Sequence, residues 1–141
     1  TFIHKGQKFK IKKKIFIDRT ESKFKHCQLE NNEEVKFFLK NKGFDIVKVG
    51  QLSFKKQIFL FKNSKIIVGA HGAAFANLIF CKPNTKVIEI KPMNHRHNNY
   101  KKISKVNNLK YKLIPATNIL KHKRKNGDIY IKISDLKKAL S

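Results

Sequence analysis

Acidic residues are scarce in this sequence, nine against 33 lysines and arginines, and that scarcity removes one kind of chemistry at once. A glycosidase holds two carboxylates across the bond it cleaves, and no pair of Asp or Glu residues here has a spacing suited to that work. Cysteine is equally sparse. Cys27 and Cys81 stand far apart, which excludes a disulfide framework and a zinc signature and agrees with a reducing, cytoplasmic setting. No apolar run approaches the roughly eighteen residues of a transmembrane helix. The basic start is not followed by the apolar stretch and small-residue cleavage site of a signal peptide. The chain opens on Thr1 rather than Met, so it reads as a fragment, with any targeting segment expected upstream.

What is abundant is lysine. The net charge of +24 first suggests nucleic acid, but only Arg19, Arg96 and Arg124 are arginines, the residue that base and phosphate readers favour for its planar fork. The lysines run along almost the whole chain instead of marking one element. Together with abundant Asn and Ile they match an adenine- and thymine-rich coding bias. Much of the charge is therefore expected on solvated faces. Its candidate uses are to attract an anionic substrate or to hold the protein on an anionic membrane surface.

The length suits a single domain, and the hydrophobic pattern alternates between strand and helix periods. Residues 1–12 alternate Lys with Phe and Ile and suit an edge strand or a connection. Lys14 to Asp18 is a short apolar strand, and residues 19–30 are a polar loop. Asn31 offers an N-cap, with Glu34 at capping-box spacing. Val35, Phe38 and Leu39 follow on one helical face, and Gly43 supplies the stop. Phe44 to Val49 predicts a second strand. Ser53 caps a helix with a buried stripe of Phe54, Ile58 and Phe61. Lys65 to Gly69 is a third strand buried on both faces, 72–81 a short helix, and Lys86 to Ile90 a fourth strand. Residues 94–108 are ambiguous. Leu109 to Ile114 and Ile129 to Ile133 suit further strands, and Ser134 caps a last helix. Such alternation implies right-handed crossovers and a doubly wound, mostly parallel, Rossmann-like α/β sheet.

In such a sheet, ligands lie beyond the carboxyl ends of the strands. Gly69-Ala70-His71-Gly72-Ala73-Ala74 runs from a buried strand straight into a helix. Its small residues let a ligand approach the backbone, and the helix start favours an anion such as phosphate. His71 is the one large polar side chain in the turn. The alternative is that small residues simply pack helix on sheet, with His71 filling a satisfied hydrogen-bond position. The stretch is neither a dinucleotide fingerprint, which needs a third glycine, nor a Walker loop, which needs Gly-Lys-Ser/Thr.

The run Ile66-Ile67-Val68-Gly69-Ala70-His71-Gly72-Ala73-Ala74-Phe75-Ala76-Asn77-Leu78-Ile79-Phe80, followed by Pro83 and Val87-Ile88-Glu89-Ile90, resembles the signature region of glycosyltransferase family 61. Upstream, Phe16-Ile17-Asp18-Arg19, Asn31 to Val35, and Leu52-Ser53-Phe54 with Gln57 are similar to further family segments in the same order. The resemblance runs from about residue 14 to residue 92. It implies an inverting, metal-independent transferase of the two-Rossmann-domain (GT-B) type, of which this chain would be the C-terminal, donor-binding half and lack the acceptor-binding half. It implies a nucleotide sugar, first a uridine diphosphate sugar, as donor, and a glycan, lipid-linked or protein acceptor. Arg19 would neutralise the departing diphosphate in place of a metal ion, the alternative being an ordinary surface arginine. Gly69, His71, Gly72 and Ala73 would line the donor pocket, and Glu89 would either reach the ribose or serve a structural hydrogen bond. Gln57 and Asn77 match the family pattern and could equally tie helix to sheet.

Four positions depart from the family. His26 and Cys27 stand where arginines are usual, which leaves a second phosphate contact to Lys23 or Lys25. Phe75 replaces a commoner Leu, and Asn84 follows the proline where glycine is usual. His95-Arg96-His97 spaces two imidazoles as a strand-borne metal site would, with no third ligand in the sequence. The rival functions are a basic nucleic-acid-binding module and a transferase-like scaffold without activity. The expected compartment is the cytoplasm, including the inner face of the membrane, or the secretory-pathway lumen in a eukaryote.

Overall fold

The computed structural model describes residues 13–20, 27–119 and 128–141. The expected strand or connection at 1–12, and Lys23, Lys25, His26 and Arg124, lie outside the described residues. Six strands form one sheet: β1 (Lys14–Ile17), β2 (Asp45–Val47), β3 (Ile66–Ala70), β4 (Lys86–Pro92), β5 (Lys110–Asn118) and β6 (Ile129–Tyr130), in the order β2-β1-β3-β4-β5-β6. The first five are mutually parallel and β6 is antiparallel to β5.

The strands are apolar on both faces because each face is covered by helix. Successive side chains of a strand point to opposite sides. Ile15, Ile17, Ile67 and Val87 therefore pack against Leu60 and Phe61 of α2 (Phe54–Asn63) and against Phe75 and Leu78 of the following 3-10 helix. Phe16, Val68, Ile88 and Ile90 pack the other way, against Val35 and Leu39 of α1 (Asn32–Asn41) and Leu136 of α4 (Ile133–Leu140). Each fully buried Leu, Ile or Phe contributes on the order of 1.5–3 kcal/mol of transfer free energy. The mixed α/β, mostly parallel and helix-covered architecture agrees with the sequence pattern.

Ser53 does cap α2, its hydroxyl accepting from the Lys56 N–H at 3.3 Å. Gly43 ends α1 with φ +84°, a conformation that favours glycine. Asn31 does stand at the N-cap position of α1, its carbonyl accepting from the Val35 N–H at 3.0 Å, but its side chain makes no cap hydrogen bond. Its amide donates to the Ile131 carbonyl at 2.8 Å, a tie across 100 positions that local sequence cannot reveal. Phe54 is not in the buried stripe of α2; it is 65% exposed, and Leu60 and Phe61 fill the inner face.

The expected helix at 72–81 is a 3-10 helix, Ala73–Phe80. In that geometry residues three apart eclipse, which places Phe75, Leu78 and Cys81 together on the buried side. The second strand stops at Val47 because Val49–Gln51 forms a 3-10 turn. The last strand is only Ile129–Tyr130, and Ser134 lies inside α4, with Lys132 at the cap position. The ambiguous stretch contains α3 (Asn99–Val106), and β5 extends four residues beyond the expected Ile114, to Asn118.

Asn84, where the resemblance led to glycine, has φ +72°. Asn is among the few side chains that tolerate this left-handed region, so the turn keeps its shape. Among the described residues no helix is long and apolar enough to cross a membrane.

Candidate functional site

Strand order reverses between β1 and β3. From there the chain winds one way to β2 and the other way to β4 and β5. At such a switch point the loops leaving adjacent strands diverge and open a crevice at their carboxyl ends. Asp18-Arg19 leaves β1 and His71-Gly72 leaves β3, so the turn and the arginine singled out in the sequence meet there.

Asp18 sets the direction of Arg19. It is buried, its N–H donates to the Val47 carbonyl at 2.9 Å, and its Oδ1 accepts from the Thr20 N–H at 3.0 Å. Lys36 of α1 lies 3.3 Å from Oδ2. Burial pushes the Asp18 carboxyl up, but the Thr20 hydrogen bonds and the Lys36 ammonium together outweigh it and hold the group below its ordinary value.

The Arg19 guanidinium donates through Nη1 to the His71 carbonyl at 2.6 Å and to the Cys27 carbonyl at 3.4 Å. It lies directly on Gly72. A Cβ at that position would come within 2.6 Å of Arg19 Cζ and 2.9 Å of Nη2. Gly72 has φ 175°, extended backbone open to any residue. The space that the guanidinium takes is therefore what calls for glycine, rather than the dihedral. Gly69 is needed for packing, since a Cβ there would meet Ile17 Cβ at 3.1 Å and the Phe75 ring at 3.3 Å. Ala73 is exposed at the lip of the turn.

His71 is 8% exposed, and its Nδ1 lies 2.6 Å from Glu89 Oε2. The Tyr111 hydroxyl donates to the other Glu89 oxygen at 2.5 Å. Burial, and then Glu89 as hydrogen-bond partner and charge, push the Tyr111 hydroxyl far up, so it stays a donor. With both oxygens accepting, Glu89 holds the hydrogen of His71 on Nδ1, and Nε2 is the nitrogen left for a ligand. Glu89 is itself 1% exposed and faces His71 rather than open space. The His71 ring is flanked by His95 at 4.0 Å and Tyr100 at 5.1 Å between centroids.

Gln57 and Asn77 are tied to each other, Asn77 Nδ2 donating to Gln57 Oε1 at 3.0 Å. Gln57 Nε2 reaches the Val49 and Leu52 carbonyls, both at 3.0 Å. These bonds join α2 to the 3-10 helix and the 49–52 turn rather than helix to sheet.

Burial pushes the Cys81 thiol up to about 12. It pushes Cys27 up as well, despite the opposing charge of Arg19. Both cysteines are buried free thiols. Among the described residues no three His, Cys, Asp or Glu gather as a metal ion would need. A cleft of about 590 Å³ between β5 and α4 shares no residue with the switch point. Its charged groups, Lys112, Asp135 and Lys138, are exposed and join no buried polar cluster. Volume alone does not make it the site.

The roles of Asp18, Tyr111, Tyr100 and Lys91 and the His95–His71 contact arise from the fold and leave little local trace in the sequence. The only local clue was the appearance of Glu89 and Lys91 at alternate positions of an apolar strand.

A guanidinium, an imidazole oriented by Glu89 and a bare glycine backbone thus meet at the switch point of a mostly parallel, helix-covered α/β sheet. This chain belongs to glycosyltransferase family 61: the sequence model of that family, described as Glycosyltransferase 61, matches residues 3–88. It is 32% identical over 63 residues to the beta-1,2-xylosyltransferase RCN11 of Oryza sativa subsp. japonica, covering 45% of this chain and 12% of that protein. It is 27% identical over 70 residues to a beta-1,2-xylosyltransferase of Arabidopsis thaliana, covering 50% of this chain and 13% of that protein. The matched segments are thus small parts of both relatives.

Proposed function

We propose that this chain forms the donor-binding part of a glycosyltransferase of the GT-B type, which moves a sugar from a nucleoside diphosphate to a glycan, lipid-linked or protein acceptor with inversion. The observation that carries this reading is the Arg19 guanidinium lying on Gly72 and bonded to the His71 carbonyl at 2.6 Å. As the acceptor oxygen attacks the anomeric carbon, the bond to the donor phosphate breaks and negative charge gathers on the leaving diphosphate. A fixed cation meeting that charge lowers the barrier. Arg19 keeps its proton throughout and takes the role a divalent metal has in other transferases. His71, oriented by Glu89, offers Nε2 to a phosphate oxygen or a sugar hydroxyl. Glu89 acts through His71 as a positioning residue, and Gly69 and Ala73 shape the turn. The base that accepts the acceptor's proton belongs to another part of the protein.

Uridine diphosphate is the first nucleotide to test, and the names of the two relatives make an activated xylose the first sugar. Both relatives are plant proteins, which weighs towards the lumenal alternative for the compartment. Exposed lysines could add attraction to an anionic membrane surface.

Calorimetric titration of the folded chain with uridine diphosphate at physiological salt tests the reading, with duplex DNA as the rival ligand. Saturable nucleotide binding, weakened by His71→Ala, supports the donor site. Salt-sensitive DNA binding that ignores His71→Ala, with no nucleotide binding, would instead favour the nucleic-acid module.

A further inference from the structure

One more buried cation stands at the same end of the sheet. Lys91 is 8% exposed, and its Nζ donates to the His97 carbonyl at 2.8 Å. Among the described residues Lys91 pairs with no carboxylate. An ammonium buried against a single carbonyl is destabilising unless something else compensates its charge.

The strand fixes where this charge sits. Side chains two apart in β4 share a face. Glu89 faces His71, so Lys91 lies one pleat further towards the carboxyl end, where ligands of open sheets bind. The loop that follows brings His95 onto His71, with 4.0 Å between ring centroids. The Nδ1 atom of His95 is buried and has no hydrogen-bond partner. Burial, and then the neighbouring His71, His97 and Lys91, hold the His95 imidazole below its ordinary value. The carboxylate in this cluster, Glu89, is already engaged by His71 and Tyr111, and His95 Nδ1 is left without a partner.

We propose that Lys91, with His95 beside it, is a second anion-binding position, across His71 from Arg19, that takes the second phosphate of a nucleoside diphosphate. This rests on the donor-site reading above. It gives the β4 loop a task in telling diphosphates from monophosphates.

The test uses the wild-type chain, Lys91→Met and Lys91→Arg, titrated with uridine diphosphate, uridine monophosphate and inorganic pyrophosphate, with melting curves taken without ligand. A lost charge-assisted hydrogen bond predicts that Lys91→Met weakens uridine diphosphate and pyrophosphate about tenfold or more. Monophosphate binding should change far less, and Lys91→Arg should recover part of the loss. The ligand-free melting temperature of Lys91→Met should stay level or rise, because an uncompensated buried charge has gone.

Unchanged diphosphate affinity in Lys91→Met overturns the proposal. So does a lowered ligand-free melting temperature, which would give the ammonium a purely structural task at His97. If the wild type binds pyrophosphate but no uridine nucleotide, the donor reading fails while Lys91 is still judged on pyrophosphate. If it binds neither, both readings fall.

Discussion

The Arg19 guanidinium donates to the His71 carbonyl at 2.6 Å, joining residues 52 positions apart. It ties together the two loops that diverge at the switch point, so the cation is fixed before any ligand arrives. Pre-set charge of this kind needs no reorganisation when the leaving group develops its own. The carbonyl also uses one arm of the guanidinium fork and thereby sets the direction of the rest.

Behind His71, the buried Glu89 carboxylate depends on two donors. Tyr111→Phe removes one and leaves Oε1 without its partner. Denaturant unfolding of this variant is expected to show a loss of about 1–3 kcal/mol. A wild-type unfolding curve would contradict the contact.

Acid should weaken the fold through His95. Its folded value lies below the ordinary 6.5, chiefly through burial and then the neighbouring His71, His97 and Lys91, with Glu89 opposing them. The unfolded chain therefore binds more protons in that range, and stability falls as pH drops from above 6.5 towards the folded value. His95→Gln removes this contribution, so its stability should depend less on pH in that window than that of the wild type. Asp18 has the same sign but acts lower, with stability lost as pH falls from about its ordinary 3.8 through the depressed folded value. Equal pH slopes for wild type and His95→Gln would refute the His95 assignment.

The exposed turn at Asn84 offers a backbone test. With φ at +72°, Asn84→Gly should be neutral or slightly stabilising. Asn84→Ala should cost about 1 kcal/mol, read from chemical denaturation. A harmless alanine would mean that the turn is not left-handed in solution.

The parts of this structure that were legible in the sequence are those set by short-range pattern. Lys65 to Gly69 and Lys86 to Ile90 are continuous apolar runs of the kind that parallel strands buried on both faces require, and both formed. The small-residue turn at 69–74 stood out because so little side chain follows a buried strand. Contacts between distant segments were not legible. The reach of Asn31 to Ile131 replaced a predicted side-chain cap, and no spacing rule connects Arg19 with the backbone of Gly72. The 3-10 form of Ala73–Phe80 was hidden because its apolar positions fit an α-helix about as well. Lys91 belonged to no motif and His95 stood out only beside His97, and only the fold of β4 and its loop brings them beside His71.

The central claim is that Arg19 and Gly72 act as one unit in binding a diphosphate, and a double-mutant cycle tests it most directly. Uridine diphosphate affinity would be measured for wild type, Arg19→Ala, Gly72→Ala and the double variant. The added methyl of Gly72→Ala meets the movable end of an arginine side chain rather than backbone, so that variant should fold with a near-wild-type melting temperature. Its affinity should nevertheless fall about tenfold or more, close to that of Arg19→Ala, and the double variant should bind no worse than either. Full affinity in Gly72→Ala, or losses that simply add in the double variant, would contradict the account.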